Sequence, residues 1–340
     1  MITIDGSKGE GGGQMLRTAL SLSLVTGKPF RMHDIRGKRS RPGVMRQHVT
    51  AVEAACAIGR SDCAELAVGA SDLTFVPGRV TPGEYRFAVG TAGSTSLVFQ
   101  TLLPPLMLAE QPSRLVLEGG THNIDAPPFD FIERVFLPVI NRMGPQVTAR
   151  LVRHGFYPAG GGRIEIDIVP SATLVRLDLR DRGAVRRVDA RAAVAALPEE
   201  IASRELAVVE KILGWPPESC CIDQLPDDVG PGNILILESE FEHCTEIVSG
   251  FGKLGVSAQS VADKAAKRMA GYLASKAFAG PYLGDQLLLP MALAGGGCFS
   301  TVKPSQHART GAEVIASFLD VSVAFNEQDN GCHIVEVSTT

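Results

Sequence analysis

The sequence predicts an α/β (α+β) protein. Its main domain consists of repeated α/β units with sheets backed by helices, and it carries a smaller inserted α/β domain. Three observations lead to this prediction: a strand–glycine–helix pattern recurs, the composition changes near residue 180, and the glycine–helix pattern resumes after residue 275. Units of this size cannot bury a sheet face alone, so we expect them to pack against one another.

The repeated pattern has three copies. The first begins with a strand at Ile2–Ile4, passes through a run of glycines and continues as a helix that stops at Gly27, a residue type favoured after helix ends. The second has a strand at Tyr85–Val89, and the third surrounds Gly284–Gly297. A glutamine stands near the start of the helix in each copy: Gln14, Gln100 and Gln286.

A polar break at Arg180–Gly183 precedes a segment of different character. Hydrophobic patterning there predicts a strand, a helix, two strands and a helix, at Val185–Ala196, Pro198–Leu213, Ile234–Glu240, Glu246–Phe251 and Ala258–Leu273. We therefore predict a main domain of residues 1–182 and 276–340 and an inserted domain of residues 183–275. The role of the insert is left open at this stage.

Composition limits the partners of the chain. The protein has 340 residues, of which 45% are hydrophobic and 21% charged, and its net charge is −4. A generally basic nucleic-acid coat is excluded, so a polyanion must meet a local basic patch. The most apolar stretch, Leu97–Ala109, is short and holds two prolines, so we expect no membrane span. The sequence indicates no obligate protein partner.

Cysteine usage and the N-terminus bear on the compartment. The seven cysteines are odd in number and form no C-x-x-C pair, which argues against a disulfide framework or a zinc cage. The first residues lack the basic and apolar regions of a signal peptide. We therefore expect reduced, mostly buried thiols and a cytoplasmic location.

The glycine run Gly9–Gly13 is the first candidate site. Consecutive glycines before a helix allow backbone N–H groups to approach an anion, and the helix dipole favours negative charge there. The run matches neither a P-loop nor a dinucleotide-binding fingerprint. A tight turn without a ligand explains it equally well. Glu10 favours the first interpretation, because a carboxylate in such a loop is a suitable ligand for Mg²⁺ or Mn²⁺.

The segment Arg31–Arg60 is locally basic. The segment contains seven basic and two acidic residues, so its net charge is +5 in a chain of net charge −4. Arginines surround the Pro42-Gly43 turn, and guanidinium groups suit bidentate phosphate contacts. A solvated basic loop is the alternative, but the preference for arginine favours phosphate binding. The segment has no aromatic residue, so stacking of bases is poorly supported there.

Two further residues are ambiguous from pattern alone. His307 is one of seven histidines and belongs to no recognisable triad or metal motif, which makes it a weak catalytic candidate. Asp285 is equally consistent with a turn and helix N-cap or with a nucleotide contact in which Tyr282 offers a stacking face.

With these residues in view, the chain resembles the RNA 3′-terminal phosphate cyclases. The resemblance covers nearly the full length. It rests on five motifs in order: Gly9–Arg17 (GEGGGQMLR), Ile35–His48 (IRGKRSRPGVMRQH), His154–Gly162 (HGFYPAGGG), Tyr282–Gly295 (YLGDQLLLPMALAG) and Pro304–His307 (PSQH). The family is similar in fold to the prediction above, with repeated α/β units and a smaller insert.

The resemblance implies an enzyme, an AMP-forming ligase that uses ATP and a divalent cation (Mg²⁺ or Mn²⁺) to convert an RNA 3′-terminal phosphate into a 2′,3′-cyclic phosphate. It implies that His307 becomes adenylylated and that Glu10 lies near the metal. Phosphate-contacting residues implied in the same way are Arg17, Arg36 and Arg39. ATP-site residues implied by motif position are Gln100, Tyr282, Leu283, Gly284, Asp285 and Gln286.

Two other functions are weighed against this one. The first is a non-catalytic RNA-binding or ribosome-assembly relative, which would keep the arginine cluster but need no ATP. Family members of that kind lack the histidine, whereas His307 is present here. The second is a transferase acting on small phosphorylated metabolites, since repeated α/β units also suit such enzymes.

Overall fold

The structure is a computed structural model that describes residues 1–63, 65–329 and 331–340. Its first α/β unit forms a four-stranded sheet in the order β1-β2-β4-β3. The elements of this unit are β1 (Ile2–Asp5), α1 (Gly13–Thr26), β2 (Phe30–His33), α2 (Arg46–Gly59), β3 (Asp62–Cys63) and β4 (Leu73–Val76).

The second unit has a sheet of order β5-β6-β8-β7. Its elements are β5 (Glu84–Ala88), α3 (Thr95–Leu106), β6 (Ser113–Gly119), α4 (Phe129–Phe131), α5 (Leu137–Arg142), β7 (Gln146–Arg153) and β8 (Gly162–Val169). A π-helical turn, Ile132–Phe136, joins α4 to α5. A helical segment therefore runs from Phe129 to Arg142, with a wide turn at its centre.

The third unit is interrupted after its first strand, β9 (Asp178–Leu179). The inserted elements are β10 (Val185–Ala195), α6 (Glu200–Leu213), β11 (Cys220–Leu225), β12 (Gly232–Phe241), β13 (Thr245–Phe251) and α7 (Ala258–Ser275). The third unit then resumes with α8 (Pro281–Leu293), β14 (Gly296–Thr301), α9 (Gln306–Phe318), β15 (Val321–Glu327) and β16 (His333–Thr339).

The three units share one topology. In each sheet the first two strands are parallel, and the fourth strand lies antiparallel between the second and the third. A parallel pair requires a crossover connection, and α1 and α3 supply it in the first two units. In the third unit this connection contains the insert as well as α8. The prediction of repeated α/β units with sheets backed by helices is confirmed.

The sheet of the insert, of order β11-β10-β12-β13, is buried on both faces. Side chains alternate along β12: Leu235 and Leu237 pack with α6 and α7 in a core of their own, while Ile234 and Ile236 join the core of the main domain. The strand is therefore buried at nearly every position. The bounds of the two domains, 1–182 with 276–340 and 183–275, stay a prediction.

Charged contacts fix the insert against the second unit. Asp130 forms an ion pair with Arg191 of the insert and accepts a hydrogen bond of 2.9 Å from His122 Nε2. Glu238 of β12 pairs with Arg134 at 2.7 Å. Such buried pairs need exact partners, so they define how the insert sits on the main domain.

Two findings bear on the expected compartment. Cys56 is in a disulfide bond, so the expectation that all thiols are reduced is wrong for this residue. An odd cysteine count excludes a fully paired framework but not a single bridge, which explains the error. In the described parts of the chain, every helix is too short or too polar to cross a membrane.

Candidate active site

His307 lies in the first turn of α9. The hydroxyl of Ser305 caps this helix by accepting a hydrogen bond of 3.0 Å from the backbone N–H of Ala308. The same hydroxyl donates to Asp285 Oδ1 of α8 at 2.7 Å. A capping serine that both accepts and donates fixes the start of α9 relative to α8, and so fixes the position of the histidine.

The imidazole of His307 is oriented by Gln14, the second residue of α1. Nδ1 of His307 lies 2.6 Å from Gln14 Oε1. An amide oxygen only accepts, so Nδ1 carries the hydrogen and donates it. The lone pair of the ring is then on Nε2, which lies 3.6 Å from Glu10 Oε1. Nε2 is thus the nitrogen left with a free lone pair, as a nucleophile requires.

The surroundings of His307 keep it neutral. Burial lowers the pKa of His307 below its ordinary value, and the positive charges of Arg39 and Arg17 lower it further. The side chain is still 45% exposed, so a substrate has access to it. A neutral, accessible imidazole is the form that can attack an electrophile at neutral pH.

The glycine run joins α9 to the N-terminal unit. Gly9 has a positive φ of 54°, and a Cβ there would lie 2.3 Å from Thr310 Oγ1. The same hydroxyl accepts a hydrogen bond of 3.0 Å from the backbone N–H of Glu10. Only glycine allows this approach, which joins Glu10 to Thr310, 300 residues away, and so brings Glu10 to His307.

Glu10 also forms an ion pair with Arg39, the arginine on the Pro42-Gly43 turn that reaches the histidine. The Glu10 side chain is 12% exposed, so the carboxylate is largely shielded from water, whereas the Arg39 side chain is 43% exposed. Guanidinium, carboxylate and imidazole therefore form one cluster. The sequence placed all three near phosphates, but only the fold shows that they contact one another.

Arg17 lies one turn along α1, where burial lowers its pKa to about 10. A Cβ on Gly13 would meet Arg17 Nη1 at 3.1 Å and His48 Nε2 at 2.0 Å. His48 accepts a hydrogen bond from the backbone N–H of Met45 on Nδ1, and burial lowers its pKa to about 3. His48 is thus a neutral support at the base of the glycine loop.

Arg36 is placed differently from Arg39. Its Nη1 donates to the carbonyl oxygens of Arg41 and Gly43, each at 2.7 Å. The Arg36 backbone has a positive φ of 57°, a conformation that L residues rarely adopt. In this structure the Arg36 guanidinium holds its own loop in shape and does not reach His307.

A cavity of about 710 Å³ opens beside His307. Gln14, Gln100 and Gln286 all line it, one from each of the helices α1, α3 and α8. The three glutamines that mark the repeated units in the sequence therefore converge on one space. Its volume is ordinary for a site that takes a small molecule, for which the range is about 300–1,000 Å³.

Some of the expected ATP-site residues on α8 line the cavity, and others do not. Tyr282, Asp285 and Gln286 line it, and Gln286 Oε1 is buried without a hydrogen-bond partner among the described residues. Leu283 and Gly284 instead lie buried behind the wall, with Leu283 in the hydrophobic core.

Asp285 lies inside a helix. The α8 helix begins at Pro281 with Gly280 as its N-cap, which excludes the interpretation of Asp285 as an N-cap residue. Burial raises the pKa of Asp285 to about 7. In the cavity wall, this carboxyl group accepts a hydrogen bond from the neutral hydroxyl of Ser305.

Comparison with known proteins gives one consistent result. Residues 8–325 match the family model described as RNA 3′-terminal phosphate cyclase. A protein of Koribacter versatilis with that name is 55% identical over 100% of this chain and 95% of its own length. Proteins of the same name from Ectopseudomonas mendocina (49% identical, 99% and 98% covered) and Ralstonia nicotianae (46% identical, 99% and 97% covered) are also similar.

The chain belongs to the RNA 3′-terminal phosphate cyclase family. The resemblance stated on five sequence motifs is thereby confirmed. Four of the five motifs contribute residues to the His307 cluster or the cavity wall, through Glu10, Arg39, Asp285 and His307 itself. The remaining motif, His154–Gly162, lies at the junction with the insert, where Phe156 packs against Gly232.

Sequence reasoning on this family member missed two groups of residues. Gln14 was noted only as a helix-start marker, although its recurrence with Gln100 and Gln286 was a signal. The second group is on the insert: β13, the loop after it and α7 contribute to the lining of the same cavity, with the cations Lys253, Lys264 and Arg268. No motif marks these residues, so only the fold reveals them.

Proposed function

We propose that this protein converts an RNA 3′-terminal phosphate into a 2′,3′-cyclic phosphate at the expense of ATP, through a protein–histidine–AMP adduct and an RNA-adenylate. The observation that carries the proposal is the position of His307: Nδ1 lies 2.6 Å from Gln14 Oε1, which leaves Nε2 for attack, and the side chain is 45% exposed. Because RNA ends and ATP meet in the cytoplasm, the proposal includes a cytoplasmic site of action.

The chemistry requires activation because a terminal phosphomonoester is a poor electrophile. It is dianionic, and direct cyclisation would have to expel hydroxide. In the first proposed step, Nε2 of His307 attacks the α-phosphorus of ATP, the bond to the bridging oxygen of the β-phosphate breaks, and pyrophosphate leaves. The hydrogen stays on Nδ1 and remains hydrogen-bonded to Gln14. This hydrogen bond stabilises the positive charge that the ring acquires.

Two transfers then follow. An oxygen of the RNA 3′-phosphate attacks the phosphorus of the adduct, and cleavage of the P–N bond returns the neutral imidazole. The vicinal 2′-oxygen attacks the RNA phosphorus, AMP leaves, and the hydroxyl proton passes to solvent. This last step closes a five-membered ring, and effective molarities for such reactions reach about 10⁵–10⁸ M. The 2′-OH it needs accounts for RNA as the substrate.

The residues of the cavity suit the nucleotide. Gln286 Oε1 is a buried acceptor without a partner among the described residues, which a hydrogen-bond donor of a ligand would satisfy. Tyr282 is 46% exposed and offers a flat face at the cavity wall. Gln100 and Asp285 add polar groups to the same wall. Arg17 and Arg39 are the cations nearest to His307 by their effect on its pKa, so they suit the phosphates.

Glu10 suits a divalent cation. Mg²⁺ is ordinarily held by one or two carboxylates together with substrate phosphates and waters, so a single shielded carboxylate beside the histidine is an adequate protein contribution. When bound there, the ion would neutralise charge on the phosphates during transfer. Arg39, which pairs with Glu10 in this structure, would then be available to phosphate oxygens.

A labelling experiment tests the proposal. Protein incubated with ATP labelled at the α-phosphate and with Mg²⁺ or Mn²⁺ should retain an AMP group that is acid-labile and sensitive to hydroxylamine, as a P–N bond is. His307→Ala should retain none, whereas His243→Ala, at an exposed histidine of the insert, should label normally.

Three results would count against the proposal. Normal labelling of His307→Ala would move the nucleophile elsewhere. No labelling of the wild type, with intact RNA binding, would favour a non-catalytic RNA-binding relative. Equal turnover of a mononucleotide 3′-phosphate would favour a metabolite enzyme.

A further inference from the structure

The insert lines the cavity with a positively charged face that the chemistry proposed above does not use. Lys253 follows β13, and Lys264 and Arg268 lie on α7. All three line the cavity that opens beside His307. The acidic residues of the lining, Asp125 and Asp285, lie on the main domain instead. The part of the lining that the insert supplies is therefore cationic.

The two lysines have no protein partner to explain them. Within the described ranges 1–63, 65–329 and 331–340, neither Lys253 nor Lys264 forms an ion pair or a side-chain hydrogen bond. On the outer side of the same helix, Lys267 pairs with Asp263 at 2.9 Å, four residues away. The helix thus neutralises its solvent-facing lysine and leaves its cavity-facing lysine unpaired.

The spacing on α7 sharpens this contrast. Val261, Lys264, Ala265 and Arg268 line the cavity and follow the i, i+3, i+4, i+7 pattern of one helix face. Lys264 and Arg268 are four residues apart, a separation at which like charges repel. The Arg268 guanidinium lies 5.0 Å from the centre of the Tyr282 ring, which holds it at the cavity. An anion between these cations would relieve the repulsion.

We propose that this face of the insert, Lys253, Lys264 and Arg268, binds the phosphodiester backbone of the RNA just upstream of its 3′ end. The inference rests on the RNA substrate of the proposed function. A cavity of about 710 Å³ has room for the nucleotide but not for an RNA strand as well, so the strand has to leave over the rim. On the insert side that rim is cationic, whereas Asp125 on the main-domain side repels phosphate.

Lysine is the side chain expected for this task. The terminal phosphate and the α-phosphate must be held in one geometry, which suits the planar fork of arginine. An RNA strand of any sequence needs only point charges on flexible stems, which lysine supplies. The face also explains how a chain of net charge −4 holds a polyanion, because the contact is confined to a few phosphates.

The test measures RNA affinity against salt. A short 5′-fluorescein-labelled RNA ending in a 3′-phosphate is titrated with the wild type, with Lys253→Ala/Lys264→Ala and with Lys267→Ala, at several salt concentrations. Each phosphate contact of a single strand adds roughly 0.7 to the slope of log affinity against log salt, so the double variant should lose roughly 1.4. The same relation predicts a loss of roughly 25-fold at 0.1 M salt, vanishing near 1 M. Lys267→Ala should match the wild type.

A second arm separates RNA from ATP as the source of the phosphates. Self-adenylylation needs only ATP, whereas transfer of AMP from the isolated adduct needs only RNA. In the Lys253→Ala/Lys264→Ala variant, we expect the transfer of AMP to RNA to be impaired more than self-adenylylation. The opposite order would assign the lysines to the triphosphate and overturn it, as would an unchanged salt slope.

The failure of this inference differs from failure of the proposed function. If the wild type cyclises RNA ends but the double variant binds RNA with the original slope, the inference alone is wrong. If the wild type forms no adduct and yet its RNA binding depends on the two lysines, the inference stands and the catalytic proposal is wrong.

Discussion

The two walls of the cavity are built on opposite principles. On the main-domain side, His307 and Gln14 line the cavity, Glu10 and Arg39 lie behind them and contact His307 or one another, and Thr310 holds the glycine loop against the same helix. On the insert wall, Lys253 and Lys264 have no ion pair within the described residues. A wall of connected side chains fixes a reacting atom, because each group restrains the next. A wall of separate flexible cations tolerates many positions of a bound chain.

The contrast explains where family motifs occur. Groups that must meet a reacting phosphorus in one geometry permit few replacements, so they appear as motifs such as Gly9–Arg17 and Pro304–His307. A cationic surface needs only its charge, which many sequences provide. The insert could therefore take part in substrate binding without carrying any motif. The following substitutions each change one side of the cavity, and their effects on activity or stability test this difference.

The largest effect is expected from Gln14→Ala. This change removes the acceptor of the His307 Nδ1–H bond, so the ring loses both its orientation and its fixed tautomer. Misplacement of a reacting group by about 1 Å costs on the order of 10²-fold in rate. We expect self-adenylylation to fall by about that factor, measured in single-turnover labelling, with a much smaller change in KM for ATP.

Gln14→Glu is the matched variant, because it keeps an acceptor at the same position. It should recover much of the adenylylation rate at high pH. The acid limb of its pH–rate profile should lie at higher pH than that of the wild type, because a carboxylate favours the protonated imidazole. Wild-type labelling by Gln14→Ala would show that packing alone orients the histidine.

Gly13→Ala should be the next largest. The added Cβ would lie 2.0 Å from His48 Nε2 and 3.1 Å from Arg17 Nη1, so both side chains must move. Overpacking of this kind costs about 1–3 kcal/mol of unfolding free energy. Urea denaturation should show that loss, and adenylylation should fall with it because Arg17 is displaced. An unchanged urea midpoint would mean that the base of the loop is loosely packed.

Arg39→Gln should shift a pH profile. Burial and the charges of Arg39 and Arg17 lower the pKa of His307 because they disfavour the imidazolium. Removal of Arg39 takes away one repulsion and frees Glu10, whose carboxylate favours the imidazolium, so the pKa rises. Since attack requires neutral imidazole, the acid limb of adenylylation should move to higher pH.

The rate of Arg39→Gln measured against pH, under single-turnover conditions, gives the midpoint independently of any loss of phosphate binding. Arg41→Gln, at an exposed arginine of the same loop, should leave that midpoint in place. An Arg39→Gln midpoint at or below that of the wild type would contradict the electrostatic account.

The sequence predicts the frame of the molecule well. The repeated pattern requires a strand, a glycine and a helix in each copy, and three sheets of one topology contain them. Gly27 ends α1 as predicted, in a left-handed conformation. These features are local, since they depend on hydrophobic period and on residues that permit a turn. Strands β11, β15 and β16 were not predicted, although Val321, Val323 and Phe325 alternate along β15.

The site is less predictable for a physical reason. His307 and Gln14 lie 293 residues apart, and no local pattern in a single sequence records a contact of that range. Asp285 illustrates the same limit: its acidic side chain and the preceding glycine suggested a helix start, but tertiary packing extends α8 back to Pro281. The arginines of one loop looked equivalent, and only the fold separates Arg39, at the cluster, from Arg36, which braces its own loop.

The smallest effect is expected from Gly271→Ala on α7 of the insert, and its sign should be opposite to that of Gly13→Ala. Gly271 lies inside α7 without a positive φ, and a Cβ added there would have no atom of the described residues within 4 Å beyond its own helix. Alanine is favoured over glycine in a helix interior by about 1 kcal/mol, so the variant should be slightly more stable in urea. Destabilisation instead would show that α7 is packed as closely as the loop around Gly13, and the contrast between a fixed wall and an adaptable one would then be lost.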